Sequence, residues 1–187
     1  ERIHVEECRE KSIWGHIRRT KGEYVIFIRP EDSISVDYLR KMLETVWNSH
    51  LDVAVSDFLF RDGAGQLCYY NLDPLRMDDV EYAGEEIRMQ YLRCAAKCIS
   101  WRTLGNKLFR KSLLMECLSK AKEIRAGASY EDICLLTLAM SKASRLKNIH
   151  HVYYIQGMEP EDEKNKAWER RDYEWAKKEA LEIGSVF

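Results

Sequence analysis

Residues 23 to 28, EYVIFI, form a continuous apolar run rich in β-branched and aromatic side chains, entered from Gly22 and left through the loop RPEDSIS. A run of this kind suits a strand covered on both faces, and such strands belong mostly to parallel or mixed sheets. The next segment, VDYLRKMLETVW, places Leu39, Met42, Leu43 and Val46 at helical spacing, with Ser35 well typed to cap the first turn. Strand, acidic loop and amphipathic helix thus follow one another directly.

The rest of the chain repeats this alternation. LDVAVSDFLF (51 to 60) reads as a second strand, RDGAGQ as a turn and LCYYNL as its return. EEIRMQYLRCAAKCI reads as a helix with Ile87, Tyr91, Leu92 and Ala95 on one stripe. NKLFRKSLLMECLSKAKEI begins extended and turns helical near Ser112, SYEDICLLTLAMSKAS is a strongly apolar helix, and KNIHHVYYIQ a further strand. The expected fold class is α/β, one domain over residues 1–157, followed by a charged helical tail over 158–187 with Trp168, Trp175, Ala176 and Ile183 near one side.

Charge excludes some partners. Lys plus Arg total 30 against 31 Asp plus Glu, and a net charge of -1 gives no bulk electrostatic reason to expect nucleic acid or an anionic membrane. The six cysteines avoid the close spacing that zinc sites use, and a reduced, cytoplasmic setting is the simplest reading. Cys94 and Cys98 would share a helix face without a second ligand pair, and adjacent His150 and His151 would point opposite ways on a strand. No apolar run approaches the ~20 residues of a membrane span.

Two acidic pairs carry the candidate chemistry. Glu31 and Asp32 lie on the loop after the first strand, where ligands of open α/β sheets collect. Carboxylates there can hold Mg2+ or Mn2+ together with substrate phosphates; acids at a helix start also need no ligand, because the macrodipole favours them. Glu131 and Asp132 open the apolar helix. Ser129 to Asp132 fits a capping box, and the same geometry can aim Asp132 into a crevice as a general base. Trp101 and Tyr70 could stack on a sugar ring, although buried aromatics are commoner than sugar platforms.

In collinear order, several of these segments resemble the family 2 glycosyltransferases of the GT-A fold. KGEYVIFIRPEDSISVDYLRKMLE resembles that family's stretch from a Gly-Glu-Tyr strand into an Asp-x-Asp motif and helix. LDVAVSDFLFRDGAG resembles its next strand and turn, GNKLFRKSLL its Asn-Lys-Leu-aromatic-Arg segment, and YEDICLLTLAMSKASRLKNIHHVYYIQ its Glu-Asp helix and following strand. The likeness covers roughly residues 2 to 156.

The resemblance implies a mixed, GT-A-like sheet flanked by helices and incomplete at its amino end. It implies a nucleotide-sugar donor, a saccharide or lipid-linked acceptor, and inverting transfer in polysaccharide or glycolipid synthesis, at or near the inner face of a membrane. Glu31 and Asp32 take the metal-binding positions, Asp132 that of the catalytic base with Glu131 beside it, and Asn106 and Lys107 the acceptor side. Lys107 would otherwise be a surface charge. Arg29 stands where the motif's first acid belongs, and a guanidinium there suits direct contact with diphosphate. No counterpart of the family's first strands precedes Glu1, so more chain, a partner or a second copy is expected to cover the gap. The other class of function these residues admit is a catalytically silent glycosyltransferase-like domain that binds saccharide or a partner enzyme.

Overall fold

The computed structural model describes residues 13–61, 65–69, 80–96, 99–121 and 131–157. Among these the elements run α1 (Ile13–Arg19), β1 (Tyr24–Ile26), β2 (Ser33–Ile34), α2 (Tyr38–Ser49), β3 (Val53–Arg61), β4 (Leu67–Tyr69), β5 (Glu81–Ala83), α3 (Glu85–Ala95), β6 (Lys107–Arg110), α4 (Lys111–Ala121), α5 (Glu131–Lys142) and β7 (Arg145–Gln156). Tyr70, Cys98, Ser129 and the expected tail helix over 158–187 lie outside the described residues.

The described strands make one mixed sheet in the order β1-β6-β3-β7-β2, with β4 added to β3 and β5 to β7. Its parallel pair is β3 with β7; β1, β4 and β6 join as antiparallel neighbours on one side, and β2 and β5 pair antiparallel with β7. Strand alternation sends successive residues to opposite faces. Val53 and Val55 of β3, Phe109 of β6 and Leu146 of β7 therefore pack with α1, α3, α4 and α5 on one side. Ala54, Phe58, Leu108 and Tyr154 pack with α2 on the other.

Three expectations are corrected. The first apolar run is a strand over Tyr24–Ile26 only, paired antiparallel with β6 among the described residues, and Ile28 beyond it is 45 % exposed. The run packs on both faces of a mixed sheet, as its pattern implies, with Val25 and Phe27 in one cluster and Tyr24 and Ile26 in the other, but its last residues belong to the loop. Ser35 does not cap α2, which starts behind Asp37 in a left-handed conformation (φ 31°); the Ser35 hydroxyl instead accepts the Tyr153 N–H at 3.1 Å, tying β2's exit to β7. In α3 the stripe turns by one position, because Leu92 is exposed and Cys94 is buried beside Ile87 and Tyr91.

The parallel pair is interrupted once. While β3 advances one residue from Ser56 to Asp57, β7 advances from Ile149 to Tyr153. His151 takes a left-handed φ of 60° in this bulge. The Asp57 carboxylate accepts the His151 N–H at 2.8 Å and lies 3.0 Å from His150 Nδ1, so one side chain from β3 satisfies what the ladder leaves open. Beyond the bulge, β7 is set in register to carry Tyr154 into the site.

Candidate functional site

The loop leaving β1 turns tightly, the Asp32 N–H donating to the Arg29 carbonyl at 3.0 Å. This turn brings three charges together. Arg29 Nε lies 3.1 Å from Asp32 Oδ2 and Nη2 lies 3.3 Å from Oδ1, a two-pronged contact, while Glu31 Oε1 approaches the same Nε at 3.0 Å. Glu31 Oε1 is buried yet makes no hydrogen bond among the described residues, so its approach to Arg29 is an electrostatic contact with poor hydrogen-bond angles. Burial alone would lower the Arg29 pKa; the hydrogen bond and charge of Asp32, then the charge of Glu31, outweigh it and raise the pKa further.

Asp32 is the best-anchored member, with a side chain only 1 % exposed. Its Oδ2 accepts the Tyr154 hydroxyl as well as Arg29 Nε, and its Oδ1 accepts the Gly157 N–H at 2.9 Å. Burial first, and then the hydrogen bond to and charge of Asp32, push the Tyr154 phenol well above its ordinary pKa, so it is held as a donor.

Two glycines let these partners meet. A Cβ on Gly157 would fall 2.0 Å from the Glu31 carbonyl oxygen, and one on Gly105 would fall 2.7 Å from Tyr154 Cζ. No side chain fits at either place without displacement. The Tyr154 ring is held on its other side by Phe58, stacked at 6.0 Å between centroids and 16° between planes.

Behind Gly105 lies a buried polar group that crosses from β6 to β3. Asn106 Nδ2 donates to the Ser56 carbonyl at 2.8 Å, the Ser56 N–H donates to the Asn106 carbonyl at 2.9 Å, and Tyr38 Oη shares a hydrogen bond with Ser56 Oγ at 3.0 Å. Lys107 is fully buried, so it is no surface charge: Nζ donates to the carbonyls of Ser100 (2.5 Å) and Thr103 (2.8 Å) and to Asn106 Oδ1 (2.7 Å). Trp101 lies beneath that ammonium, 5.5 Å from ring centroid to Nζ, and is 1 % exposed. Its ring therefore packs against protein and supports Lys107 rather than offering a face to a sugar.

The structure thus joins Arg29, Glu31 and Asp32 directly, and connects them through Tyr154 and Gly105 to the buried Asn106 and Lys107. Asp132 lies in the first turn of α5 with its side chain exposed, and Glu131 is the first residue of that helix. Tyr154, Gly105 and Gly157 do not stand out in the sequence as site residues. Only the alternation of VYYIQ and the glycine that follows it hinted at their roles.

The loop does not suit a divalent cation as it stands. Both Asp32 oxygens are engaged, and the Arg29 guanidinium occupies the position 3.0 Å from Glu31 Oε1 that a metal would need. No group of three or more His, Cys, Asp and Glu side chains close enough to share an ion occurs among the described residues. No helix of the described residues is long and apolar enough to cross a membrane.

Comparison of the fold with solved structures finds S. aureus TarS. The crystal structure of TarS aligns with a TM-score of 0.53 at 18 % identity, covering 78 % of this chain and 24 % of TarS. TarS 1-349 in complex with UDP aligns with a TM-score of 0.54 at 20 % identity over 78 % of this chain and 39 % of that one. The complex with UDP-GlcNAc gives 0.53 and 18 %, over 76 % and 37 %. The chain therefore spans between 24 % and 39 % of the length of these neighbours, and the likeness is one of fold, of the glycosyltransferase type. No protein-family model matches the chain, and no curated protein matches it significantly.

Proposed function

We propose that this chain is part of a glycosyltransferase that draws its sugar from a nucleotide-sugar donor. The observation that carries this reading is the fold it shares with TarS, a protein crystallised with UDP and with UDP-GlcNAc. The collinear family 2 segments support it, since they fall in chain order on the loop after β1, the Gly105–Lys107 turn and the start of α5.

In this reading the acceptor hydroxyl of a saccharide or lipid-linked acceptor attacks the anomeric carbon of the donor in one in-line displacement, with inversion. Asp132 takes the hydroxyl proton as the new carbon–oxygen bond forms, and the nucleoside diphosphate leaves. Glu131 adjoins the base at the head of α5. Asn106 and Lys107 act from below, fixing the turn that carries Gly105, and Trp101 supports Lys107. The setting that goes with such chemistry is cytoplasmic, with peripheral contact to the membrane that holds the acceptor.

Donor hydrolysis and transfer are the direct assays. Full-chain protein incubated with UDP-GlcNAc and other nucleotide sugars should release nucleoside diphosphate, and Asp132→Asn should abolish release while near-UV circular dichroism stays unchanged. Turnover that survives in Asp132→Asn would return Asp132 to a capping role. The second reading, a silent glycosyltransferase-like domain, is favoured by the engaged state of Asp32; donor binding without turnover by either protein would select it.

A further inference from the structure

We infer that the loop after β1 meets the diphosphate of a nucleotide directly through Arg29, with no divalent cation between them; this rests on the donor reading above. The guanidinium is fixed in orientation because Nε and Nη2 are bound to the two oxygens of Asp32. Nη1 makes no hydrogen bond or ion pair among the described residues, and the side chain is 46 % exposed. A held guanidinium with an outward N–H edge is a ready partner for phosphate oxygens, and less side-chain freedom is lost when the contact forms.

The same geometry disfavours a metal. Asp32 is sealed from solvent and its oxygens already accept from Tyr154, Gly157 and Arg29. Glu31 is only 20 % exposed, and a cation reaching its Oε1 would have to displace the guanidinium 3.0 Å away. Gly157 closes the other side, its Cα pressed against the Glu31 backbone.

Glu31 gives the two mechanisms opposite signs. As a metal ligand it would aid diphosphate binding, and its loss would weaken it. Beside an arginine that contacts phosphate, its negative charge opposes the ligand, and its loss strengthens binding.

The experiment is calorimetric titration of the full chain with UDP, GDP, CDP and ADP, in EDTA and again in excess Mn2+. The expected result is binding of at least one nucleotide with equal affinity in both conditions. Arg29→Gln should weaken it by about tenfold or more, the scale of a lost hydrogen bond to a charged group, and Glu31→Gln should tighten it. Arg29→Asp should bring in Mn2+, read by electron paramagnetic resonance of the ion. Binding that needs Mn2+, or that weakens in Glu31→Gln, overturns the inference and leaves the donor reading standing. If no nucleotide binds in either condition, both fall together.

Discussion

Tyr154 and Asp32, 122 residues apart in the chain, are joined by a single hydrogen bond in which the phenol donates to Oδ2 of a buried carboxylate. That bond links the end of β7 to the loop after β1. Replacing Tyr154 by Phe keeps the ring on Phe58 and Gly105 but removes a donor from a charge with little access to water. A loss of about 2 kcal/mol in urea denaturation is expected. Unchanged stability would mean that Gly157 and Arg29 alone suffice for Asp32.

The two glycines should differ in tolerance. In Gly105→Ala the new methyl meets the tip of the Tyr154 ring, a side chain that can shift, so a cost of about 1 to 3 kcal/mol is expected. In Gly157→Ala it meets the Glu31 carbonyl, which is backbone, so the loop itself must move. Thermal unfolding should show the larger fall in midpoint for Gly157→Ala.

Lys107 should behave as a structural ammonium. Lys107→Met keeps much of the volume under the turn but leaves the carbonyls of Ser100 and Thr103 and the Asn106 amide oxygen without this donor. The expected cost is about 3 kcal/mol, measured by chemical denaturation, because buried acceptors would lose a charged partner. A variant as stable as the parent would show that water replaces Nζ.

Alkaline pH should destabilise the protein through its buried thiol and phenol groups. Burial is the leading cause that pushes both the Cys117 thiol and the Tyr91 phenol up to about 12, from ordinary values of 9.0 and 10.0. The folded state therefore keeps protons that the unfolded state loses, and stability falls as pH rises. It should be fully present below pH 9 and decline from there toward pH 12, followed as the urea midpoint against pH. Cys117→Ala should remove the earlier part of the decline.

Much of the fold is legible in the sequence because its signals are local. The hairpin of β3 and β4, the switch from β6 into α4, and the apolar α5 all carry their own periodicity, which packing then uses unchanged. The antiparallel pairing of β1 with β6 is not local: an apolar run looks the same whether its neighbours are parallel or antiparallel. Ser35 illustrates a related limit, since a hydroxyl suited to a cap was claimed by the Tyr153 amide, more than a hundred residues away.

The charges of the acidic loop are legible in the sequence, but their arrangement is not. Nothing in RPEDSI says that Asp32 would face inward, and that orientation depends on Tyr154 reaching it from β7 past Gly105. Trp101 and Lys107 were likewise readable as residue types suited to ligands, yet the pair is buried together. Whether an aromatic or a lysine faces inward is decided by the sheet's packing, to which short motifs are blind.

Gly157 also couples the exit of β7 to the loop after β1. Its N–H is bound to Asp32 Oδ1 and the space where a Cβ would stand is filled by the Glu31 backbone. A displacement at the end of β7 therefore reaches the Asp32 carboxylate without an intervening side chain, and through that carboxylate the guanidinium of Arg29.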